Sequence, residues 1–267
     1  MIAYQSIGNN GRIGNQLFQI ASTIGIAINN NEDFYFNDSE IFKFFPKLQK
    51  NIKVNFSDFT EFYNEQDFCY QEIKTLKQTN TVLFGYFQSF KYFENNWKII
   101  SDLLQIKNER FLNYKNQFQN INTCSIHVRR GDYITINQLD PFQPHPLIKL
   151  NYYYQAMDYI NADIYIIFSD DIAWCKENFI GDKFLFFDIG EQYKNDMEYD
   201  LFELEMMSSF NNNIIANSSY SWWGAYLNKN INKKVIAPKI WFSEAYANKI
   251  SKYNISDSLI PSNWTLI

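Results

Sequence analysis

In the second half of the chain, apolar runs of four to six residues alternate with stretches of helical spacing. The runs at 123–128 (TCSIHV), 164–169 (IYIIFS), 183–189 (KFLFFDI), 213–218 (NIIANS) and 233–238 (KKVIAP) predict strands. Between them, 151–162, 170–179, 196–210 and 219–229 predict helices. Apolar runs in such alternation belong to strands covered on both faces, joined as parallel βαβ units. The first half opens the same way, with strand IAYQSI at 2–7, a Gly-rich loop, helix 17–29 and strand 33–37. A further strand is predicted at 81–88 and a helix at 90–105, whereas the aromatic stretch 40–80 shows neither period. The pattern predicts an α/β protein of two lobes, 1–120 and 121–267. In the helix at 196–210, Asp196, Glu198, Asp200, Glu203 and Glu205 read as a solvated face, with Leu201 and Leu204 turned inward.

Composition adds exclusions. The 267 residues are 46% hydrophobic and 19% aromatic, ample for a core. A net charge of −5 argues against a protein that binds nucleic acid through its general field. Cys69, Cys124 and Cys175 have no metal spacing and no CxxC, and read as reduced thiols. With only His127 and His145 present, a His-rich metal site is excluded. No stretch reads as a signal peptide or a membrane span, which with several unshielded N-x-S/T sequons points to a bacterial cytoplasm.

Four segments lie where predicted strands end, the place at which an open α/β sheet presents ligand-binding groups. In the first, glycines 8, 11 and 14 make GxxGxxG, neither a dinucleotide fingerprint nor a P-loop; Arg12 and Asn15 project from it, or Asn15 serves as a helix N-cap. The second, SIHVRRGDYI, sets Arg129 and Arg130 against a Gly131–Asp132 turn signal. A guanidinium there suits a carboxylate or phosphate bidentately; a surface ion pair and an RGD adhesion tripeptide are the alternatives. Alternation puts His127 and Arg129 on one side, with Val128 and Arg130 on the other. His127 alone reads equally as a core histidine. In the third, Ser169, Asp170 and Asp171 open a helix; one aspartate serves as N-cap, and a carboxylate there also suits the N–H edge of guanine. The adjacent pair lacks the D-x-D spacing of metal-dependent sugar-nucleotide sites. In the fourth, Asn217, Ser218, Ser219 and Ser221 crowd a helix start, a phosphate cradle or an ordinary Ser-rich cap.

Together these segments resemble the bacterial α-1,2-fucosyltransferases of glycosyltransferase family 11. GRIGNQLFQIA at 11–21 is similar to that family's G-x-x-G-N-Q motif, and GYFQSFKYF at 85–93 to its middle signature. HVRRGDY at 127–133, FSDD with Trp174, and IIANSSYSWWGAYL at 214–227 match the others, in family order across nearly the whole chain. The stretches 40–80 and 137–154 depart from the pattern, and the resemblance leaves the acceptor open there.

The resemblance implies a GT-B-like fold, two Rossmann-type lobes facing across a cleft. Lobe 1–120 would lie on the acceptor side and lobe 121–267 would bind GDP-fucose. It implies inverting, metal-independent transfer of L-fucose from GDP-β-L-fucose to O2 of a terminal galactose. No cofactor is expected, since GDP-fucose is a co-substrate. Arg129 would bind the β-phosphate and His127 lie near the nucleoside. Asp170 or Asp171 would hold guanine, next to Ser169. Asn217, Ser218, Ser219 and Ser221 would build the pyrophosphate cradle, and Arg12 and Asn15 reach the fucose and phosphate. Asp132 would act as base or brace an arginine. The expected partners are GDP-fucose and a galactose-terminated oligosaccharide or lipid-linked glycan, which is compatible with peripheral attachment to the inner membrane face. Transfer of another GDP-deoxysugar, or to another acceptor position, and a non-catalytic glycan-binding role are the competing readings. A nicotinamide oxidoreductase is disfavoured for want of GxGxxG.

Overall fold

The computed structural model describes residues 1–74, 76, 79–106, 116–118, 120–139, 144–188, 190 and 196–267. The chain divides into two compact units, Met1–Lys107 with Ile250–Pro261, and Asn108–Lys249 with Ser262–Ile267. A single division at residue 120 assigns Ile250–Pro261 to the second lobe, whereas it packs in the first unit. It is held there by buried Ile255, Leu259 and Ile260 and by hydrogen bonds: Ser258 Oγ accepts from the Tyr70 amide at 2.6 Å, and Phe68 N–H donates to the Ile250 carbonyl at 3.2 Å.

The first unit holds strands β1 (Ile2–Tyr4), β2 (Phe34–Phe36), β3 (Glu61–Asn64) and β4 (Thr81–Phe84). They form one parallel sheet in the order β2-β1-β4-β3. Helix α1 (Ile13–Asn30) is buried along nearly its whole length, as the apolar residues Leu17, Phe18, Ile20 and Ile24 require. The unplaced stretch 40–80 contains two 3₁₀ helices, Glu40–Phe44 and Pro46–Asn51, and strand β3. The strand expected over 81–88 stops at Phe84, because Gly85 (φ 146°) and Phe87 (φ 49°) leave the extended region. The helix expected over 90–105 is two 3₁₀ turns, Phe90–Tyr92 and Glu94–Asn96, followed by α2 (Trp97–Leu103).

The second unit holds β5 (Thr123–Val128), β6 (Ile164–Ser169), β7 (Phe184–Phe186), β8 (Asn212–Ile214), β9 (Val235–Ala237) and β10 (Thr265–Leu266). All pair in parallel, in the order β10-β9-β8-β5-β6-β7. Numbered within the unit this is 3-2-1-4-5-6, the Rossmann order, whose strand direction of winding reverses between β5 and β8. Every residue of β5 is buried, the polar Thr123, Ser125 and His127 as well as the apolar Cys124, Ile126 and Val128, as befits a central parallel strand covered on both faces. Cys124, Ile126 and Val128 pack with Tyr153, Met157 and Ile160 in the core under this sheet. The helices are α3 (Gly131–Leu139), α4 (Leu150–Ile160), α5 (Ile172–Asn178), α6 (Met197–Met207), α7 (Ser219–Tyr226) and α8 (Glu244–Ile250). Helix α9 (Ile255–Leu259) belongs to the first unit. The Gly131–Asp132 turn signal is in fact the first turn of α3. The run 213–218 is strand only to Ile214, after which the chain leaves the sheet toward α7. Among the described residues no helix is long and apolar enough to cross a membrane.

Candidate active site

In a sheet of this order, ligands bind outside the carboxyl ends of the strands that flank the reversal. Here those ends belong to β5 and β8, with β6 beside β5. Arg129 follows β5, Asp170 and Asp171 follow β6, and Asn217 to Ser219 follow β8. The topology therefore gathers three of the four sequence segments at one edge.

Both terminal nitrogens of Arg129 are held. Nη1 meets Asp170 Oδ2 at 2.7 Å and Nη2 meets Asp132 Oδ1 at 2.7 Å. The guanidinium also lies 5.4 Å from the Tyr133 ring centre. Asp170 is gripped twice, since its Oδ1 accepts the Arg130 amide at 2.8 Å. Gly131 makes this possible: a Cβ there would stand 2.7 Å from Asp170 Oδ2. Arg130 forms a second, parallel pair, Nε to Asp171 Oδ2 at 3.0 Å, and lies 3.9 Å from the Trp174 ring centre. Asp171 is the N-cap of α5, its Oδ1 accepting the Trp174 amide at 3.2 Å, and its own amide donates to Ser169 Oγ at 2.9 Å. The two aspartates therefore divide as cap and arginine brace, and both are paired.

His127 is buried at the end of β5, and its Nδ1 has no hydrogen-bond partner among the described residues. Burial, then the charge of Arg129, pushes its pKa down to about 3, so the ring is neutral. It meets Tyr220 edge-on at 5.7 Å. The Tyr220 hydroxyl donates to Glu203 Oε2 at 3.0 Å. Glu203 is thus turned toward the site, not to solvent, and the reading of the α6 acidic residues as one solvated face fails at it. Burial raises its pKa to about 8, with Asp200 and Asp170 adding to the rise against the Tyr220 hydrogen bond.

Asn217 is a clamp. Its Nδ2 donates to the Pro146 and Trp241 carbonyls at 2.9 and 3.1 Å, and its carbonyl accepts from the Tyr133 hydroxyl at 3.0 Å. Tyr133 in turn stacks on His145 at 4.8 Å. Ser218 is the N-cap of α7 and makes no side-chain cap bond, and Ser219 is the first helical residue. Ser221 is buried, and its hydroxyl turns back to the Ala216 and Ser218 carbonyls, 3.4 and 3.2 Å away. Ser218 and Ser219 stand at the α7 start, while Ser221 braces the turn behind them.

Arg12 and Asn15 lie in the first unit. The N-cap of α1 is Arg12, and Asn15 falls within the first turn; its capping role is not seen. Asn15 Oδ1 instead accepts from Gln88 Nε2 at 2.8 Å. Gln88 sits in the loop after β4, which Glu65 holds by accepting the Tyr86 and Phe87 amides at 2.7 and 2.9 Å. A Cβ at Gly85 would strike Glu65 at 2.4 Å. Burial raises the Glu65 pKa to about 7. Neither Glu65 nor Glu203 carried a signal in the sequence: one lies in an aperiodic stretch, the other in a run of like acids. Among the described residues no group of three or more His, Cys, Asp or Glu is placed to hold a metal ion.

The sequence profile of glycosyl transferase family 11 matches residues 2–260. The O-antigen biosynthesis glycosyltransferase WbnK of Escherichia coli is 34% identical over 212 residues, covering 75% of this chain and 67% of that protein. An Escherichia coli alpha-1,2-colitosyltransferase is 37% identical over 136 residues, 48% of this chain, and the match spans under half, 43%, of that protein. Among solved structures, the fucosyltransferase NodZ from Bradyrhizobium superposes with a TM-score of 0.55 at 12% identity, over 85% of this chain and 92% of that one. That likeness establishes a GT-B-like α/β fold.

Proposed function

The chain belongs to glycosyl transferase family 11, and from that premise we propose that it transfers L-fucose from GDP-β-L-fucose to O2 of a terminal galactose, with inversion. The observation that carries this reading is Arg129, held at both terminal nitrogens at the switch point of a Rossmann sheet. When the sugar departs with oxocarbenium character, negative charge grows on the GDP oxygens. A preorganised guanidinium and the amide-rich start of α7, with Ser218 and Ser219, are donors aimed at such charge. Neutral His127 lines the nucleoside side without repelling Arg129. For guanine, Asp170 and Asp171 are both already paired with arginines. Glu203, which gives up its proton as it accepts both N–H groups, is therefore the carboxylate we assign to the guanine N–H edge, in place of the two aspartates.

The test is incubation with GDP-fucose and a panel of β-galactosides, followed by linkage analysis of the product. An α-1,2-fucoside is expected; donor turnover with no sugar on any galactoside, or a different linkage, would overturn the reading. The match to the alpha-1,2-colitosyltransferase favours a second reading, in which the donor is a different deoxysugar carried on GDP. Competition between GDP-fucose and other GDP-sugars in the same assay separates the two.

A further inference from the structure

The cluster at the β5 and β6 ends carries two guanidiniums, Arg129 and Arg130, against three carboxylates, Asp132, Asp170 and Asp171. An arriving diphosphate meets a net negative group unless one carboxylate yields. The three are not held alike. Asp170 has a 20% exposed side chain, binds Arg129 with one oxygen and the Arg130 amide with the other, and is pressed against Gly131. Asp171 is 28% exposed, and its two oxygens serve Arg130 and the cap of α5. Asp132 is 52% exposed, and among the described residues its one ion pair is to Arg129 Nη2. It stands in the first turn of α3, where a half-exposed side chain can rotate into water.

We infer that Asp132 is the exchangeable partner of Arg129: a diphosphate oxygen takes its place on Nη2, while Asp170 stays on Nη1 and keeps the guanidinium aimed. Resting on the proposed GDP-sugar reading, this deepens it by giving the two carboxylates on one arginine opposite roles. Asp170 positions Arg129 for the ligand; Asp132 competes with the ligand and holds the fork between turnovers. No bond is made or broken in the exchange, and the displaced carboxylate passes to solvent as it stands.

The two roles predict effects of opposite sign on binding. Titration calorimetry of the full chain with GDP, and with GMP, would be run on the wild type, D132N, D132A and D170N. Removing the competing charge is expected to tighten GDP about two- to fivefold in both Asp132 variants, the span of a half-exposed ion pair. GMP, which lacks the second phosphate, is expected to bind all Asp132 variants as it binds the wild type. D170N is expected to weaken GDP. Because Asp132 is half exposed and α3 needs no bond from it, both variants are expected to fold, and thermal melting checks this. Unchanged or weaker GDP binding by D132N and D132A would overturn the inference, as would an equal gain for GMP. Failure of the wild type to bind GDP at all would instead overturn the donor reading on which it rests.

Discussion

Arg129 and Arg130 are neighbours in sequence, yet each has its own aspartate, and this makes the exchange to lysine informative at both. Lysine keeps the charge but cannot span Asp170 on one side and a second anion on the other. R129K is expected to lose at least about 100-fold in turnover, the scale of removing one preorganised donor. R130K, whose partners are Asp171 and Trp174, is expected to lose far less; equal losses in a transfer assay would mean that Arg129 is not singled out. E203Q is expected to weaken GDP and to relax discrimination against ADP, whereas D171N should cost mainly stability, since asparagine also caps. The reverse ranking in a nucleotide-binding assay would return guanine to the aspartate. Chelation is a separate check: Asp170 and Asp171 already spend their oxygens on arginines and amides. Fucosyl transfer in excess EDTA is expected to stay within about twofold, under roughly 0.5 kcal/mol in barrier. Abolition by EDTA with rescue by Mg²⁺ would make the aspartates metal ligands.

At the scale of elements, the start of α3 sets local propensity against packing. Alanine at a helical glycine is worth about 1 kcal/mol in propensity. At Gly131 its Cβ would displace Asp170, which makes an ion pair and a charge-assisted bond of about 1.5–3 kcal/mol each. G131A is therefore expected to lower both the melting temperature and GDP affinity; a stabilised variant with wild-type affinity would show that Asp170 can step aside. The strands of the second unit were legible because burial on both faces leaves an apolar run bounded by turn residues. Arg129 and the Asp170–Asp171 pair were legible because they sit just past such runs. What stayed hidden has the opposite character. Strand β3 (EFYN) is largely exposed, and two 3₁₀ helices precede it, so neither a two-residue nor a 3.6-residue period marks 40–64. Helix α6 carries Glu203 in a run of five acids of which Asp196 and Glu198 are exposed, and the approach of Tyr220 from α7, a contact remote in sequence, is what turns Glu203 toward the site.

For the whole molecule, buried ionisable groups set how stability follows pH. Glu65, Glu203 and Glu205 have folded pKa values raised to about 7, 8 and 7, with burial the leading cause. Between the ordinary carboxylate range and those values the folded chain holds protons that the unfolded chain has released, so these groups lose stability as pH rises. His127 and His145 act oppositely, with folded values pushed down by burial to about 3 and 4. Below about 6.5 the unfolded chain binds protons that the folded histidines refuse, and stability falls on acidification. From 6.5 to about 8 the histidine contribution is spent and the carboxylates dominate; Lys233, lowered by burial to about 8, acts oppositely only above that. Thermal melts are expected to show declining stability from pH 6.5 to 8, with E203Q flattening the decline; a rise over that interval would mean that these carboxylates are ionised in the folded chain. The division of the chain bears on its synthesis as well. Because Ile250–Pro261 belongs to the first unit, a ribosome that has already released that unit's whole sheet has not yet delivered its last piece. Until then, the Tyr70 amide that Ser258 will receive, and the Ser89 hydroxyl that will donate to the Ser258 carbonyl at 2.5 Å, lack their partner within the chain. The unit whose sheet is translated first is thus finished only after the sheet of the other has begun, and a chain cut after Lys249 would damage the unit that holds residues 1–107.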